Sequence, residues 1–237
     1  MTTNGPESKK PRREAGASWQ PLYDGLLNAI IRHRLNPGDK LVEEEIAEFF
    51  GVSRTVVRAA LQALARDGVV VLQRNKGASV ARPTPDEARE IFQARALIEP
   101  AIAALAAGNM TPERVAALHA AIEAEHSALH EDRPLDAVFH SADFHRLIAD
   151  YAGQKVLADI VRDLLSQSSL VIALYWRQPE GICDNHAHLE LIDALARGEG
   201  ARSGELMRVH VEHLLISLDL TVPPAAASGL AEALRLP

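Results

Sequence analysis

The stretch Leu35–Ala81, LNPGDKLVEEEIAEFFGVSRTVVRAALQALARDGVVVLQRNKGASVA, decides the fold. Glu43 to about Phe50 has a helical period that turns Ile46, Ala47 and Phe50 to one side. Gly51 then offers the left-handed residue that a sharp helix exit requires. Ser53 is a good N-cap, and Val52 can staple onto Val57 one turn inside the next helix. That helix, Arg54 to about Asp67, buries Val57, Ala60, Leu61 and Leu64 and stops at Gly68. Residues 69–81 then change period to two β-type runs around Arg74-Asn75-Lys76-Gly77.

Upstream, Leu22, Leu26, Leu27, Ile30 and Ile31 form one apolar stripe that closes at Asn36-Pro37-Gly38. Three short helices followed by a two-stranded hairpin make the outline of a winged helix-turn-helix over residues 18–82. Residues 1–17 have no apolar period and read as a disordered basic tail, either solvated or touching phosphates. Pro83-Thr84-Pro85 breaks the chain as a linker, and Thr84 with Glu87 reads as a capping box opening the next helix. From residue 86 to 220 Ala, Leu, Ile and Val recur at helical spacing, with breaks near Gly108, Pro134, Gly153, Pro179 and Gly198. Six helices of about 15–24 residues are expected there, an all-α antiparallel bundle, before a tail over 221–237. The fold class is thus mainly α.

Composition narrows the function classes. Hydrophobic residues at 47% and charged ones at 24% exclude global disorder. Aromatics at 4% argue against stacking on single-stranded nucleic acid. One cysteine, Cys183, excludes an internal disulfide framework and a cysteine-rich zinc ribbon. No apolar run approaches the roughly 20 residues of a membrane span, and the N-terminus has no secretory-type apolar stretch, so a cytoplasmic protein without membrane contact is expected. The net charge of −7 is uneven: residues 1–82 hold 13 basic and 9 acidic side chains, whereas the rest hold 12 and 23. Such asymmetry hints at a nucleic-acid module.

On the third helix, Arg54, Thr55, Arg58, Gln62 and Arg66 lie opposite the apolar stripe. Arg can bind guanine O6/N7 bidentately, Gln can bind adenine, and Thr can meet a phosphate or a thymine methyl. Ser53, Arg54 and Thr55 start the helix, where such motifs reach base edges, and Arg74 and Lys76 would reach the DNA backbone or minor groove from the wing. A solvated charged face is the alternative.

The pattern GVSRT…VR…L…L…DG…GA.V resembles the DNA-binding domain of the GntR family of bacterial transcription regulators over about residues 22–82. The resemblance implicates Ser53, Arg54, Thr55 and Arg58, and in the wing Gly77 with its basic neighbours. Two departures stand out: Val56 where many relatives have Pro or Thr, and Glu44 where the fatty-acid-responsive member has a DNA-contacting Arg.

Nine of the ten histidines follow residue 83. His145, His188 and His210 share faces with apolar residues of three different helices, so they are either three separately satisfied core imidazoles or the ligands of a divalent metal. FHRLIADYAG, HLELIDALARGEG and the spacing of 22 residues from His188 to His210 resemble the FCD-type effector domain of the FadR-like subfamily. That resemblance implies a zinc, nickel or manganese site at those three histidines, with a small-carboxylate effector. It also implies an Asp ligand where this chain has Ser141; Asp136 with His140, and Asp143, are out of register. Arg95 and Glu99, like the family's Arg-x-x-x-Glu, are an effector-carboxylate anchor or a structural pair.

The expected function is a homodimeric regulator, a repressor, that reads a palindromic operator on double-stranded DNA under control of the effector. A metal-responsive regulator is one alternative, and a metal-dependent hydrolase or lyase fused to a DNA-binding domain is another.

Overall fold

The computed structural model describes residues 18–74, 76–176 and 185–221, the last stretch without the side chains of residues 185 and 186. The expected tail over 1–17, most of that over 221–237, Asn75, His186 and Cys183 lie outside the described residues or side chains.

Helix α1 (Gln20–Ile31) starts with Pro21 in its first turn and buries Leu22, Leu26 and Ile30. Strand β1 (Lys40–Leu41) and helix α2 (Glu43–Phe49) follow, with Glu43, Glu44 and Glu45 in the first turn of the helix. Gly51 adopts φ +66°, the left-handed conformation the turn requires. Helix α3 (Arg54–Arg66) starts at Ser53, whose hydroxyl accepts from the Val56 amide, and buries Val57, Ala60, Leu61 and Leu64. Strands β2 (Val70–Gln73) and β3 (Gly77–Val80) pair antiparallel from Val70↔Val80 to Gln73↔Gly77. The two-stranded hairpin expected from the sequence is extended by β1, which pairs with the other side of β3, giving the order β1-β3-β2.

Thr84 closes a capping box at the start of α4 (Pro85–Ala107), accepting from the Glu87 amide at 3.2 Å while Glu87 Oε2 accepts from the Thr84 amide at 2.7 Å. Pro83 is buried and its carbonyl accepts from the Tyr175 hydroxyl at 2.9 Å, so the linker is fixed against the bundle. Helices α5 (Pro112–His130), α6 (Pro134–Tyr151), α7 (Lys155–Tyr175), α8 (Asn185–Ala196) and α9 (Gly200–Ile216) bring the bundle to the expected six helices among the described residues. Helices α4 and α9 approach closely: a Cβ on Gly200 or Gly204 would lie 2.9 Å from the carbonyl oxygen of Ala104 or Pro100.

Two cores result. One gathers Phe92, Phe144, Ile148, Tyr175 and Leu195 inside the bundle; the other gathers Leu26, Ile30, Leu61, Leu64 and Val80 in the winged helix. Leu170 of α7 belongs to the second core although its helix belongs to the first. Beside it, Gln167 Nε2 donates to the Asp67 carbonyl at the C-terminus of α3, and the Arg32 guanidinium lies 4.0 Å over the Phe139 ring.

Candidate functional site

The first candidate surface is the outer face of α3. Arg54, Thr55, Arg58 and Gln62 are exposed on it, while the stripe of Val57, Ala60, Leu61 and Leu64 fixes the helix to the core. Ser53 is partly buried, its hydroxyl engaged in capping. Arg74, Lys76 and Gly77 are exposed at the wing, Gly77 at φ +88°. The two recognition-helix arginines are already paired with α2: Arg54 Nη2 lies 3.0 Å from Glu44 Oε2, and Arg58 Nε donates to both oxygens of Glu43 at 3.0 and 2.9 Å. The face therefore offers a row of donors whose nearest counter-charges are carboxylates of the neighbouring helix.

The second candidate site lies inside the bundle. His145 on α6, His188 on α8 and His210 on α9 are all buried and meet there. His210 Nε2 is 3.2 Å from His145 Nε2 and 3.3 Å from His188 Nε2. Glu99 on α4 bridges Arg95 and His145, with Oε1 2.5 Å from Arg95 Nε and Oε2 2.5 Å from His145 Nδ1. Burial would raise the Glu99 carboxyl, but the Arg95 guanidinium and His145 overcome it and hold the group at about 2. An ionised Glu99 only accepts, so His145 donates from Nδ1 and presents a lone pair at Nε2. Burial, then its neighbours His145 and His126, lowers His188 to about 3. Burial likewise lowers His210, helped by His188 and His145, and lowers His145 against the pull of Glu99. All three rings are neutral near pH 7.

Neutral rings are the form that ligates metals. At most one proton can sit on His210 Nε2, which cannot satisfy two facing nitrogens at once, and His188 Nδ1 has no hydrogen-bond partner among the described residues. The nitrogen separations are close to the edge, about 3.3 Å, of a tetrahedron with metal–nitrogen bonds of about 2.0 Å. As placed, however, no group of three or more imidazole, thiol or carboxylate side chains among the described residues could hold an ion. Three neutral imidazoles are a donor type that divalent metals take, but as placed the rings meet only in pairs through His210 and would have to turn toward a common centre.

Arg95 is itself buried, with Nη1 donating to Ser168 Oγ on α7 at 3.0 Å and Nη2 without a partner among the described residues. A cavity of about 10 Å³ adjoins it, lined by Arg95, Ser141, His145, Ser168, Ser169 and Leu214. That is room for about one water. Ser141, one turn before His145, faces this cavity as expected from its register. Asp136 pairs with Arg133 and Asp143 with Arg146, so neither carboxylate joins the site.

Sequence reasoning missed Ser168 and Ser169; the run Ser166-Gln167-Ser168-Ser169 in an otherwise apolar helix was the available signal. It also missed Glu99 as the partner of His145, a contact across 46 residues that no local spacing announces. His126 and His213 lie close enough to lower His188 and His210, respectively.

Comparison with known proteins places both halves. Residues 20–80 match the profile of the bacterial regulatory proteins of the gntR family, and residues 90–213 match that of the FCD domain. The chain is 30% identical over 208 residues to the Uxu operon transcriptional regulator of Escherichia coli K12, covering 81% of this chain and 74% of that protein. It is 27% identical over 217 residues to the HTH-type transcriptional repressor NanR of Salmonella newport, covering 80% and 81%. Among solved structures, E. coli McbR/YncC superposes with a TM-score of 0.69 at 23% identity, covering 83% of this chain and 96% of that one. A GntR regulator from Rhodococcus sp. RHA1 gives 0.68 at 23% identity, covering 84% and 95%. These relatives are transcription regulators, which removes the hydrolase and lyase alternative. No helix among the described residues is long and apolar enough to cross a membrane. The chain belongs to the GntR family of bacterial regulatory proteins and is a DNA-binding transcriptional regulator with a C-terminal FCD domain.

Proposed function

We propose that the protein is a repressor that binds a palindromic operator as a homodimer and is controlled by a small carboxylate bound beside Arg95. The observation that carries this reading is the Arg95 guanidinium: it is buried, its Nη2 has no partner among the described residues, and it borders a cavity that holds about one water as it stands and would widen to admit an acid. A buried unpaired donor on a cation is costly, and a carboxylate is the acceptor that matches it best. Two neighbouring donors, Nη2 and the Ser168-bound Nη1, suit the two oxygens of one carboxylate. Glu99 balances the guanidinium charge through Nε, which leaves Nη2 to a ligand.

His145, His188 and His210 are the residues that would hold a zinc, nickel or manganese ion. Such an ion would supply Lewis acidity toward an oxygen ligand. Control follows from differential affinity: a ligand that binds better to one placement of the two winged helices shifts the population toward it. Two-fold symmetry suits the reader, since one winged helix covers a single half-site.

A thermal-shift screen of small mono-, di- and hydroxycarboxylates, with and without zinc, nickel and manganese, tests this reading. At least one acid should raise the melting temperature of the wild type and fail to do so for Arg95→Gln. The same acid should weaken binding to an operator obtained by in vitro selection. If no acid acts but a metal alone changes operator affinity, the metal-responsive regulator is the correct reading; the unpartnered His188 Nδ1 and the facing Nε2 atoms favour that second possibility.

A further inference from the structure

The reader's two central arginines do not face solvent unopposed. Glu44 lies 3.0 Å from Arg54, and Glu43 holds Arg58 through Nε alone, at 2.9 and 3.0 Å, so both Nη groups of Arg58 keep their donors. These contacts join successive residues of α2 to residues one turn apart on α3, so they form as a set when the two helices pack. Glu45, the next residue along α2, is exposed and makes no ion pair among the described residues.

Sequence-independent attraction to DNA comes from cations that neutralise phosphates and release counterions. A carboxylate beside each recognition arginine subtracts from that attraction, because any phosphate approaching Arg54 or Arg58 also approaches Glu44 or Glu43. Guanine responds differently. Its O6 and N7 offer a bidentate acceptor pair that the two Nη groups of Arg58 already match, while Arg54, held through Nη2, keeps Nη1 and Nε for a base. Holding the side chain in place also lowers the entropy lost on contact. The same glutamates therefore weaken contact with any phosphate and leave contact with the correct base largely intact.

We propose that Glu43 and Glu44 are specificity-determining residues of the DNA-reading face: they hold Arg58 and Arg54 in position and suppress their binding to non-operator DNA. The proposal rests on α3 being the reading helix. It concerns this chain's own departure at Glu44, and it places the operator preference in a four-residue unit rather than in the arginines alone.

The test uses the full chain, an operator duplex obtained by in vitro selection and a random-sequence duplex of equal length, followed by fluorescence anisotropy at several salt concentrations. Glu43→Gln, Glu44→Gln and their double variant are compared with Glu45→Gln, which removes the same charge from the same helix without releasing an arginine. All three sites lie outside the buried core, and thermal melts confirm folding. The double variant should bind random duplex at least tenfold more tightly than wild type, and the selected operator no more than threefold more tightly. Its salt dependence on random duplex should steepen by about 2 in log–log slope, one arginine–phosphate contact each. Glu45→Gln should shift both duplexes by the same small factor. Equal gains on both duplexes in the double variant, matching Glu45→Gln, would show that the glutamates act only as bulk charge. Losses on both duplexes would show that they are needed for DNA contact. Either result overturns the proposal while leaving α3 as the reader. A wild type that yields no selected sequence at all would instead remove the reading-helix assignment, and this inference with it.

Discussion

Gln167 and Asp67 are 100 residues apart in sequence, yet Gln167 Nε2 donates to the Asp67 carbonyl at 3.0 Å. The contact ties the middle of an effector-domain helix to the residue that caps the recognition helix. Its neighbour Leu170 is 0% exposed within the core of the winged helix. On α7 the residues 167 and 170 share one face, whereas Leu165, Ser168 and Ile172 share the face toward the Arg95 cavity. One helix thus borders both the cavity and the reader.

Leu170→Ala is expected to destabilise the winged helix more than the bundle that carries it. Truncating a fully buried leucine costs about 2–5 kcal/mol. Denaturant unfolding in a Trp176→Phe background, followed by fluorescence from Trp19 at the start of α1, checks this against far-ultraviolet dichroism, which is dominated by the bundle. Coincident losses in both signals would mean that the two cores unfold as one.

Gly204→Ala should lower stability even though alanine favours helix over glycine by about 1 kcal/mol. The added Cβ would lie 2.9 Å from the Pro100 carbonyl oxygen, a backbone atom that moves only if α4 and α9 separate. A net loss of about 1–3 kcal/mol is expected from such overpacking. A raised melting temperature would show that the helices part easily.

Glu99→Gln should cost about 3–5 kcal/mol, the usual result of removing one partner from a buried ion pair. Arg95 then keeps its charge in the core without the carboxylate at 2.5 Å. Glu99→Asp, which retains the charge at shorter reach, should recover part of the loss in the same denaturant titration. An unchanged midpoint in Glu99→Gln would contradict the assigned network.

His33 gives the winged helix a pH dependence of its own. Burial without a partner lowers it to about 4 from an ordinary 6.5. The unfolded chain therefore binds the proton first, so stability is complete above pH 6.5 and falls as pH drops toward 4. The full loss is about 3 kcal/mol. His33 also sits at φ +53°, which asparagine tolerates, so His33→Asn should flatten this limb of the stability–pH curve. An identical curve in the variant would assign the limb to other groups.

Much of this architecture is legible from local signals. Gly51 before Ser53, the Thr84–Glu87 capping box and the apolar period of α3 act within a few residues, and each forms as the sequence indicates. The shared registers of His145, His188 and His210 indicate burial, and the three rings meet. Strand β1 escapes notice because two residues carry no readable period; it forms only because β3 has a free edge. Leu170 reads as ordinary bundle core, and nothing near it reveals that the winged helix packs there. Glu99 looks like half of a helical i, i+4 pair, and its second oxygen finds His145 only once α4 and α6 pack. What stays illegible in each case is set by the packing of distant elements.

The most direct test of the account is operator affinity in an Arg54→Ala, Arg58→Ala double variant. Anisotropy on the selected operator should show a loss of about 100-fold or more, as expected for two base-reading arginines, with little change on random-sequence duplex. Unaltered affinity and sequence preference would place the reading surface elsewhere and contradict the assignment of α3.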